Sequence, residues 1–241
     1  MKALILVGGK ATRLYPTTLI MPKQLIMIDG FPVIHYILDH CLKNSIDNVI
    51  ICMSNSVSHT QFYNAIGTKY KNLKIDYAVS PVGYGTSGRI LSARKYVKHE
   101  SFVVYYGDII TTFNLSEMIQ RHNKLNVKNN CIASIAVTNN TTLEQGLTKS
   151  EKKTSRIIEF IERPKIKAIS DFSINVGISV CSNKVLNYCN NKGDFYKDTV
   201  PLMIKKGEFL SKYNIPDFID IGTFSNIEKA TKTIRKLNSS A

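Results

Sequence analysis

Residues 1–25 have the sequence MKALILVGGKATRLYPTTLIMPKQL. A short apolar run is followed at once by Gly8 and Gly9, which predicts a buried strand that ends in a glycine turn. Glycine backbone approaches ligands closely, and exposed N–H groups in such a turn attract phosphate oxygens. Arg13 and Lys23 then supply a planar and a compact cation. We interpret this segment as a strand and a loop that hold a triphosphate.

The loop differs from the P-loop, because no second glycine with a following Lys-Ser or Lys-Thr stands at the required spacing. The alternative interpretation is a strand that leads into an irregular surface loop. The combination of Arg13 and Lys23 with Pro16 and Pro22, which restrict the backbone, favours the phosphate interpretation.

Apolar runs alternate with amphipathic segments through the first half of the chain. This pattern predicts right-handed βαβ units, and therefore an α/β fold with a Rossmann-like, mostly parallel sheet and helices on both faces. The predicted strands are Lys2–Val7, Asn48–Met53, Lys74–Ala78 and Phe102–Tyr106, and the predicted helices are Val33–Lys43, Ser58–Ala65 and Ser87–Val97.

The second half of the chain predicts an antiparallel extension of the same sheet, so that residues 1–241 form a single domain. A helix begins with an Asn114 and Glu117 capping box, and another with Ser225 and Glu228. Strands are predicted at Cys131–Val137, Arg156–Ile161, Ile174–Val180, Phe209–Tyr213 and Phe218–Ile221, helices at Lys184–Cys189 and Lys197–Lys206, and a polar turn at Lys149–Thr154.

The composition excludes several classes of protein. The 241 residues contain no apolar run long enough for a membrane span and no signal-peptide core, so a cytoplasmic protein is expected. Five scattered cysteines without a C-x-x-C pair argue against a disulfide framework or a zinc site, and His122 is expected to be structural. The net charge of +14 is spread along the chain without a nucleic-acid-binding motif, so no nucleic-acid partner is expected.

Two aspartates follow predicted strands. Asp108 comes directly after Gly107 at the end of one strand, and Asp220 stands in an apolar segment just before Gly222. Ligands of open α/β sheets bind at the carboxyl ends of strands, and Mg²⁺ prefers one or two carboxylates together with substrate phosphates. Asp108 and Asp220 are therefore candidate ligands of a shared Mg²⁺; a turn at Gly107 and a cap of the last helix are the alternatives.

Two further segments carry candidate residues. Glu162 and Arg163 could contact sugar hydroxyls and a phosphate, with Asn175 as an amide donor and acceptor nearby. Gly83–Gly88 matches G-x-G-x-x-G, which makes an NAD-dependent enzyme an alternative. That fingerprint normally belongs to the first strand and turn, which here carry Gly8 and Gly9 instead.

Taken together, these motifs resemble the sugar-1-phosphate nucleotidyltransferases, or NDP-sugar pyrophosphorylases, over essentially the whole chain. The resemblance is to the short form without a left-handed β-helix. The matching segments, in order, are GGKATRLYP at 8–16, Pro22-Lys23, Tyr106-Gly107-Asp108, Glu162-Arg163-Pro164, Asn175-Val176-Gly177 and Asp220-Ile221-Gly222-Thr223.

The resemblance implies the nucleotide-diphospho-sugar transferase fold and a reaction in which an NTP and a sugar 1-phosphate give an NDP-sugar and pyrophosphate. It implies that Arg13, Lys23 and Asp108 act on the phosphates, and that Mg²⁺ binds Asp108 and Asp220. The implied nucleotide-binding residues are Gly8, Gly9, Lys10, Ala11, Thr12, Arg13, Gly85, Thr86 and Gly88; the implied sugar-phosphate-binding residues are Gly146, Glu162, Arg163, Asn175 and Gly177. A homo-oligomer is compatible with this family.

The chain departs from the family pattern at two positions. Ala11 stands where the pattern has glycine, and Arg163 replaces a lysine. The first loop is most similar to that of thymidylyltransferases, so we expect a thymidylyltransferase first. Residues 85–89 are more similar to guanylyl- and cytidylyltransferases, which come next. Because of Ala11, an alternative interpretation is that the chain is a regulatory homologue, which binds nucleotide sugars without turnover.

Overall fold

The structure is a computed structural model that describes residues 1–9, 11–55, 57–139, 147–151, 154–161 and 172–239. The strands are β1 (Lys2–Leu6), β2 (Met27–Ile28), β3 (Phe31–Pro32), β4 (Asn48–Ser54), β5 (Lys69–Tyr70), β6 (Leu73–Ser80), β7 (Phe102–Tyr106), β8 (Ile109–Ile110), β9 (Cys131–Thr138), β10 (Leu147–Ser150), β11 (Ile157–Ile161), β12 (Phe172–Cys181), β13 (Phe209–Asn214) and β14 (Ile219–Asp220). The α-helices are α1 (Thr17–Ile20), α2 (Val33–Lys43), α3 (Val57–Ile66), α4 (Thr86–Ser92), α5 (Arg94–Val97), α6 (Leu115–Asn129), α7 (Val200–Lys205) and α8 (Phe224–Ser239). Short 3₁₀-helices cover Thr12–Leu14, Lys23–Leu25 and Asn183–Asn187, and one π-helical turn covers Phe195–Thr199.

The main sheet has a parallel half. Strands β7, β1, β4 and β6 lie side by side in that order, and all three pairings are parallel. The predicted alternation of strands and helices is therefore confirmed. Because parallel strands point the same way, the carboxyl ends of these four strands meet at one edge of the sheet.

Both faces of this half are buried. Side chains of β1 alternate between two apolar clusters: Ala3 and Ile5 pack with helices α2, α6 and α8 on one face, and Leu4 and Leu6 with α4, α5 and α7 on the other. Helices on both faces explain why β1 is apolar at every position from Ala3 to Leu6 rather than at every second one.

The second half extends the sheet in an antiparallel direction, as predicted. Strand β12 runs antiparallel to β7, β9 and β10, and β11 pairs with β10 at the edge. The exception is β13, which is parallel to β9. Within the described part of the chain, no helix has the length and apolar character that crossing a membrane requires.

Three predictions about local structure had wrong boundaries. The polar turn expected at Lys149–Thr154 exists but begins later, because Lys149 and Ser150 still belong to β10, where Lys149 pairs with Phe172. The Glu151 N–H donates to the Arg156 carbonyl and closes the turn. The helix expected over Ser87–Val97 breaks at Ala93, one residue after the Ser92 hydroxyl donates to the Gly88 carbonyl.

The third error concerns the last helix. It begins at Phe224, and the Thr223 hydroxyl accepts a hydrogen bond from the Asn226 N–H at 3.2 Å. The cap is therefore Thr223 rather than Ser225. The capping box at α6 is confirmed on its Asn114 side, where the side chain accepts from the Glu117 N–H.

His122 on α6 is structural, as expected, and lies in a buried polar cluster. Its Nδ1 atom lies 3.0 Å from the Ser134 hydroxyl, which lies 2.8 Å from the Ser211 hydroxyl. Its Nε2 atom is buried without a hydrogen-bond partner. Burial lowers the pKa of His122 from 6.5 to about 4.

This cluster predicts a loss of stability in mild acid. Below pH 6.5 the unfolded chain takes up a proton that buried His122 resists, so the free energy of unfolding falls until about pH 4, by about 3 kcal/mol from this residue. Replacing His122 by Gln should flatten that dependence in denaturant titrations between pH 7 and 4. The exposed His99→Gln should leave it unchanged. If the free energy of unfolding depended on pH equally in wild type and both variants, His122 would not be the cause of the acid sensitivity.

Candidate active site

The loop after β1 is built from left-handed backbone. Gly8 and Gly9 have φ of 135° and 113°, and Ala11 has φ 44° and ψ 42°. The 3₁₀-helix Thr12–Leu14 follows, and fully buried Leu14 anchors it to the core. The loop therefore leaves the sheet at the edge where the parallel strands end. Lys10 lies outside the described residues.

The structure brings together Lys23 and Asp108, two of the predicted site residues. The Lys23 ammonium makes a close ion pair with the Asp108 carboxylate, and both side chains are largely buried. Gly107 makes this possible, because its N–H donates to the Leu6 carbonyl at 3.0 Å and a Cβ there would lie 2.9 Å from the same oxygen. The end of β7 thus lies against the end of β1, with no room for a side chain between them.

Arg13 and Asp220 meet at Gly222. A Cβ on Gly222 would lie 2.9 Å from the Arg13 Nη2 atom and 3.1 Å from the Asp220 Oδ1 atom. A cation from the first loop and a carboxylate from the end of the chain therefore lie around one glycine, although the sequence separates them widely.

The two candidate metal ligands come from paired strands. Asp220 pairs with Ile109 in the β8–β14 ladder, and the Ile221 N–H donates to the Asp108 carbonyl at 2.9 Å. The structure therefore places the backbones of both aspartates next to each other. Two carboxylates suit Mg²⁺, which takes its remaining ligands from substrate phosphates and water. No cluster of three or more acidic, His or Cys side chains occurs among the described residues.

The Asn175-Val176-Gly177 segment forms a bulge of β12 beside this site. The Asn175 Oδ1 atom accepts from the Gly177 N–H at 3.0 Å, and Gly177 has φ 90°. A Cβ on Gly177 would lie 3.3 Å from Tyr106, so the bulge lies against the strand that delivers Asp108. The other predicted sugar-phosphate residues, Gly146, Glu162 and Arg163, lie outside the described residues.

The predicted nucleotide-binding glycines of α4 make packing contacts in this structure. A Cβ on Gly85 or Gly88 would lie 2.1 Å from the carbonyl oxygen of Gly193 or Asn191, respectively. The Gly85 N–H donates to Asn191, and the Ser87 N–H donates to Gly193. These N–H groups are therefore not available to a nucleotide, which weighs against a direct role of Gly85 and against dinucleotide binding at Gly83–Gly88.

Thr86 is also engaged within the protein. Its hydroxyl donates to the Asp194 carboxylate at 2.9 Å and accepts from the Phe195 N–H at 2.7 Å. In this structure Thr86 connects α4 to the π-helical turn, and its predicted contact with a nucleotide stays a prediction.

Sequence reasoning missed Arg89. Its guanidinium lies over Gly8, where a Cβ would be 2.8 Å from the Nη1 atom. With Lys23, Ala11 and Ser54 it lines a cavity of about 130 Å³ at the end of β1. A signal was present, since Arg89 stands in the first turn of a helix that follows a parallel strand, but no motif marked it.

Comparison with known proteins agrees with this geometry. Residues 2–236 match the family model described as nucleotidyl transferase. The chain belongs to the nucleotidyl transferase family. It is a nucleotidyltransferase, as the resemblance of its motifs to that family implied.

Individual relatives differ in the nucleotide they are named for. The chain is 29% identical to a D-glycero-alpha-D-manno-heptose 1-phosphate guanylyltransferase of Aneurinibacillus thermoaerophilus, over 98% of this chain and 99% of the relative. It is 27% identical to a protein of Bacillus subtilis (strain 168) named a probable glucose-1-phosphate cytidylyltransferase, over 96% of this chain and 95% of the relative.

A solved structure named as a glucose-1-phosphate thymidylyltransferase from Bacillus anthracis, in complex with a sucrose, superposes with a TM-score of 0.85. It is 20% identical and covers 98% of this chain and 95% of its own. This likeness confirms the fold.

Ala11 provides a test of the loop conformation of this nucleotidyltransferase. A left-handed conformation costs alanine roughly 1–2 kcal/mol, which glycine avoids. Ala11→Gly should therefore raise the free energy of unfolding by about 1 kcal/mol, measured by denaturant titration. Exposed Ala65→Gly in α3 is the matched control and should lower it by about 1 kcal/mol. Destabilisation by both changes would contradict the conformation at Ala11.

Gly222 provides a test of how Arg13 is positioned. In Gly222→Ala, the new methyl would displace the Arg13 guanidinium, which can move without disturbing the core. Since small misplacements of a substrate-positioning group can cost up to about 10²-fold, kcat/KM for pyrophosphate release should fall at least ~10-fold with little change in Tm. Exposed Ser225→Ala is the control. Wild-type turnover by Gly222→Ala would show that the position of Arg13 at Gly222 is unimportant.

Proposed function

We propose that the chain transfers a nucleotidyl group from an NTP to a sugar 1-phosphate, in a reaction that requires Mg²⁺ and releases pyrophosphate. The observation that supports this most strongly is the convergence of two cations and two carboxylates at the ends of β1 and β7. Lys23 contacts Asp108, and Arg13 lies with Asp220 around Gly222. Such a site suits a polyanion that arrives with a metal ion.

In this proposal the chemistry is a direct displacement. An oxygen of the sugar phosphate forms a bond to the α-phosphorus of the NTP, and the bond from the α-phosphorus to the bridging oxygen breaks. Pyrophosphate leaves with the electron pair, and no enzyme-bound intermediate is required. The protein therefore contributes mainly positioning and charge neutralisation.

Each charged side chain has a proposed part in this displacement. Lys23 lies next to Asp108 and would bridge the two reacting phosphates, while Arg13 would hold the β- and γ-phosphates and stabilise the departing pyrophosphate. Asp108 and Asp220 would hold Mg²⁺, which when bound neutralises phosphate charge. Before substrate binds, the same cations balance these carboxylates.

The sugar side of the site is supported by the bulge of β12. Asn175 and Gly177 lie beside the strand that carries Asp108, which is where a sugar phosphate would have to enter for in-line attack. Roles for Gly146, Glu162 and Arg163 at the sugar and its phosphate remain predictions. The nucleobase is a separate question, because residues 8–25 favour a thymidylyltransferase and residues 85–89 a guanylyl- or cytidylyltransferase.

The test is a pyrophosphate-release assay with five NTPs against a panel of sugar 1-phosphates, with and without Mg²⁺. At least one pair should give Mg²⁺-dependent turnover. Asp108→Asn keeps the shape but removes the charge, so it should lower kcat by ~10²–10³-fold while the protein stays folded. Asp39→Asn, which removes an acid paired with Lys71 on the surface, is the control.

Two outcomes would contradict the proposal. Near-normal turnover by Asp108→Asn would remove this residue from the metal site. Tight binding of an NDP-sugar by a wild-type protein that turns over no pair would indicate the regulatory homologue instead.

A further inference from the structure

Arg89 is a half-buried cation that makes no direct ion pair with a described residue. No hydrogen bond or ion pair to its guanidinium occurs among the described residues, and its Nε atom is buried without a partner. Burial lowers the pKa of Arg89, since removal from water disfavours the charge. Arginine stays protonated in proteins, so this charge carries a cost of desolvation that the through-space effect of Asp194 offsets only in part.

The groups around Arg89 do not supply an anion in direct contact with its guanidinium. Burial raises the pKa of the neighbouring Cys52 thiol far above its usual range, which keeps it neutral. The charge of the nearby acid, Asp194, raises the pKa of Arg89, but no hydrogen bond joins the two side chains. The Asp194 carboxylate accepts instead from the Thr86 hydroxyl and from the N–H groups of Tyr196 and Lys197. A ligand in the cavity over Gly8 is therefore the natural partner of Arg89.

The order of the strands in the sheet indicates which part of a bound nucleotide would lie at Arg89. Strand β1 lies between β7, which delivers Asp108, and β4, against which α4 packs. Asp108 therefore lies on the β7 side of Gly8, whereas the cavity that Arg89 lines with Lys23 extends to Met53 and Ser54 at the end of β4. A nucleotide laid across the end of β1 with its α-phosphate near Lys23 and Asp108 places its base at Arg89.

The chemistry of a guanidinium restricts which base can bind there. Its five N–H groups only donate, and its strongest contacts are two parallel hydrogen bonds to two adjacent acceptors. Cytosine offers O2 with N3, and guanine offers O6 with N7. Thymine and uracil place an N–H between their two carbonyls, and adenine places an amino group beside N7 and N1. These three bases present a donor where Arg89 needs an acceptor.

We propose that Arg89 selects the nucleobase by binding two adjacent acceptors on its edge, so that the enzyme uses CTP or GTP in preference to TTP, UTP and ATP. This inference rests on the proposed function, and it replaces the thymidylyl expectation drawn from the first loop. Arg89 is a specificity-determining residue, distinct from Arg13 and Lys23, which act on the phosphates.

The experiment compares kcat/KM for pyrophosphate release with the five NTPs, in wild type and in Arg89→Gln and Arg89→Lys. Wild type should prefer CTP or GTP over UTP and TTP. Since one bidentate contact is worth about 1–3 kcal/mol of discrimination, Arg89→Gln should reduce that ratio roughly 10- to 100-fold. Arg89→Lys keeps the charge but loses the fork, so it should also lose preference. Arg94→Gln, an exposed arginine on the next helix, is the control and should keep the ratio.

Titration calorimetry measures the binding of CTP, GTP, UTP and TTP to each variant, and a Tm shows whether each variant is folded. Together these measurements distinguish failure of the base contact from failure of the proposed function. Arg89-dependent preference in binding without pyrophosphate release would support the base contact and overturn the proposed function. Equal weakening of all NTPs by Arg89→Gln would place Arg89 on the phosphates and overturn the inference alone. A wild-type preference for TTP, UTP or ATP would overturn it as well.

Discussion

The parallel pairing of β1 with β7 places the two halves of the site at one edge of the sheet. Leu6 pairs with Tyr106 in this register, and a glycine follows each strand closely: Gly107 comes directly after β7, and Gly8 comes one residue later after β1. Gly107 lies so close to the Leu6 carbonyl that a side chain would not fit. This close approach brings Asp108 to Lys23, and the β8–β14 ladder then brings Asp220 to the same place.

Charge balance follows from that arrangement. The site gathers Arg13, Lys23, Asp108 and Asp220, and in the described structure the cations and carboxylates lie against each other. Such mutual compensation holds the groups in position before any substrate arrives, which lowers the cost of organising them during the reaction. Arg89 differs, because no described carboxylate contacts its guanidinium, so its direct contacts are left for a ligand.

Local patterns predicted much of the fold. The alternation of apolar runs with amphipathic segments gave the parallel strands and helix α2, and the polar side chain of Asn114 marked the start of α6. Errors arose where tertiary contacts override local preference. β10 is a polar strand stabilised by its two neighbours, and the glycines of α4 serve a loop that is more than a hundred residues away in sequence.

The sequence by itself determined the chemical inventory: the glycine turn, the two phosphate-directed cations and the two aspartates are visible as residue types beside predicted strands. It also identified Ala11 as the departure from the loop pattern. Only the tertiary structure decided which of these groups meet, because Arg13 and Asp220, or Lys23 and Asp108, are joined by sheet register and strand order rather than by spacing along the chain. Arg89 shows the same limit, since its guanidinium lies over Gly8 with no described carboxylate in contact, a property that no local pattern encodes.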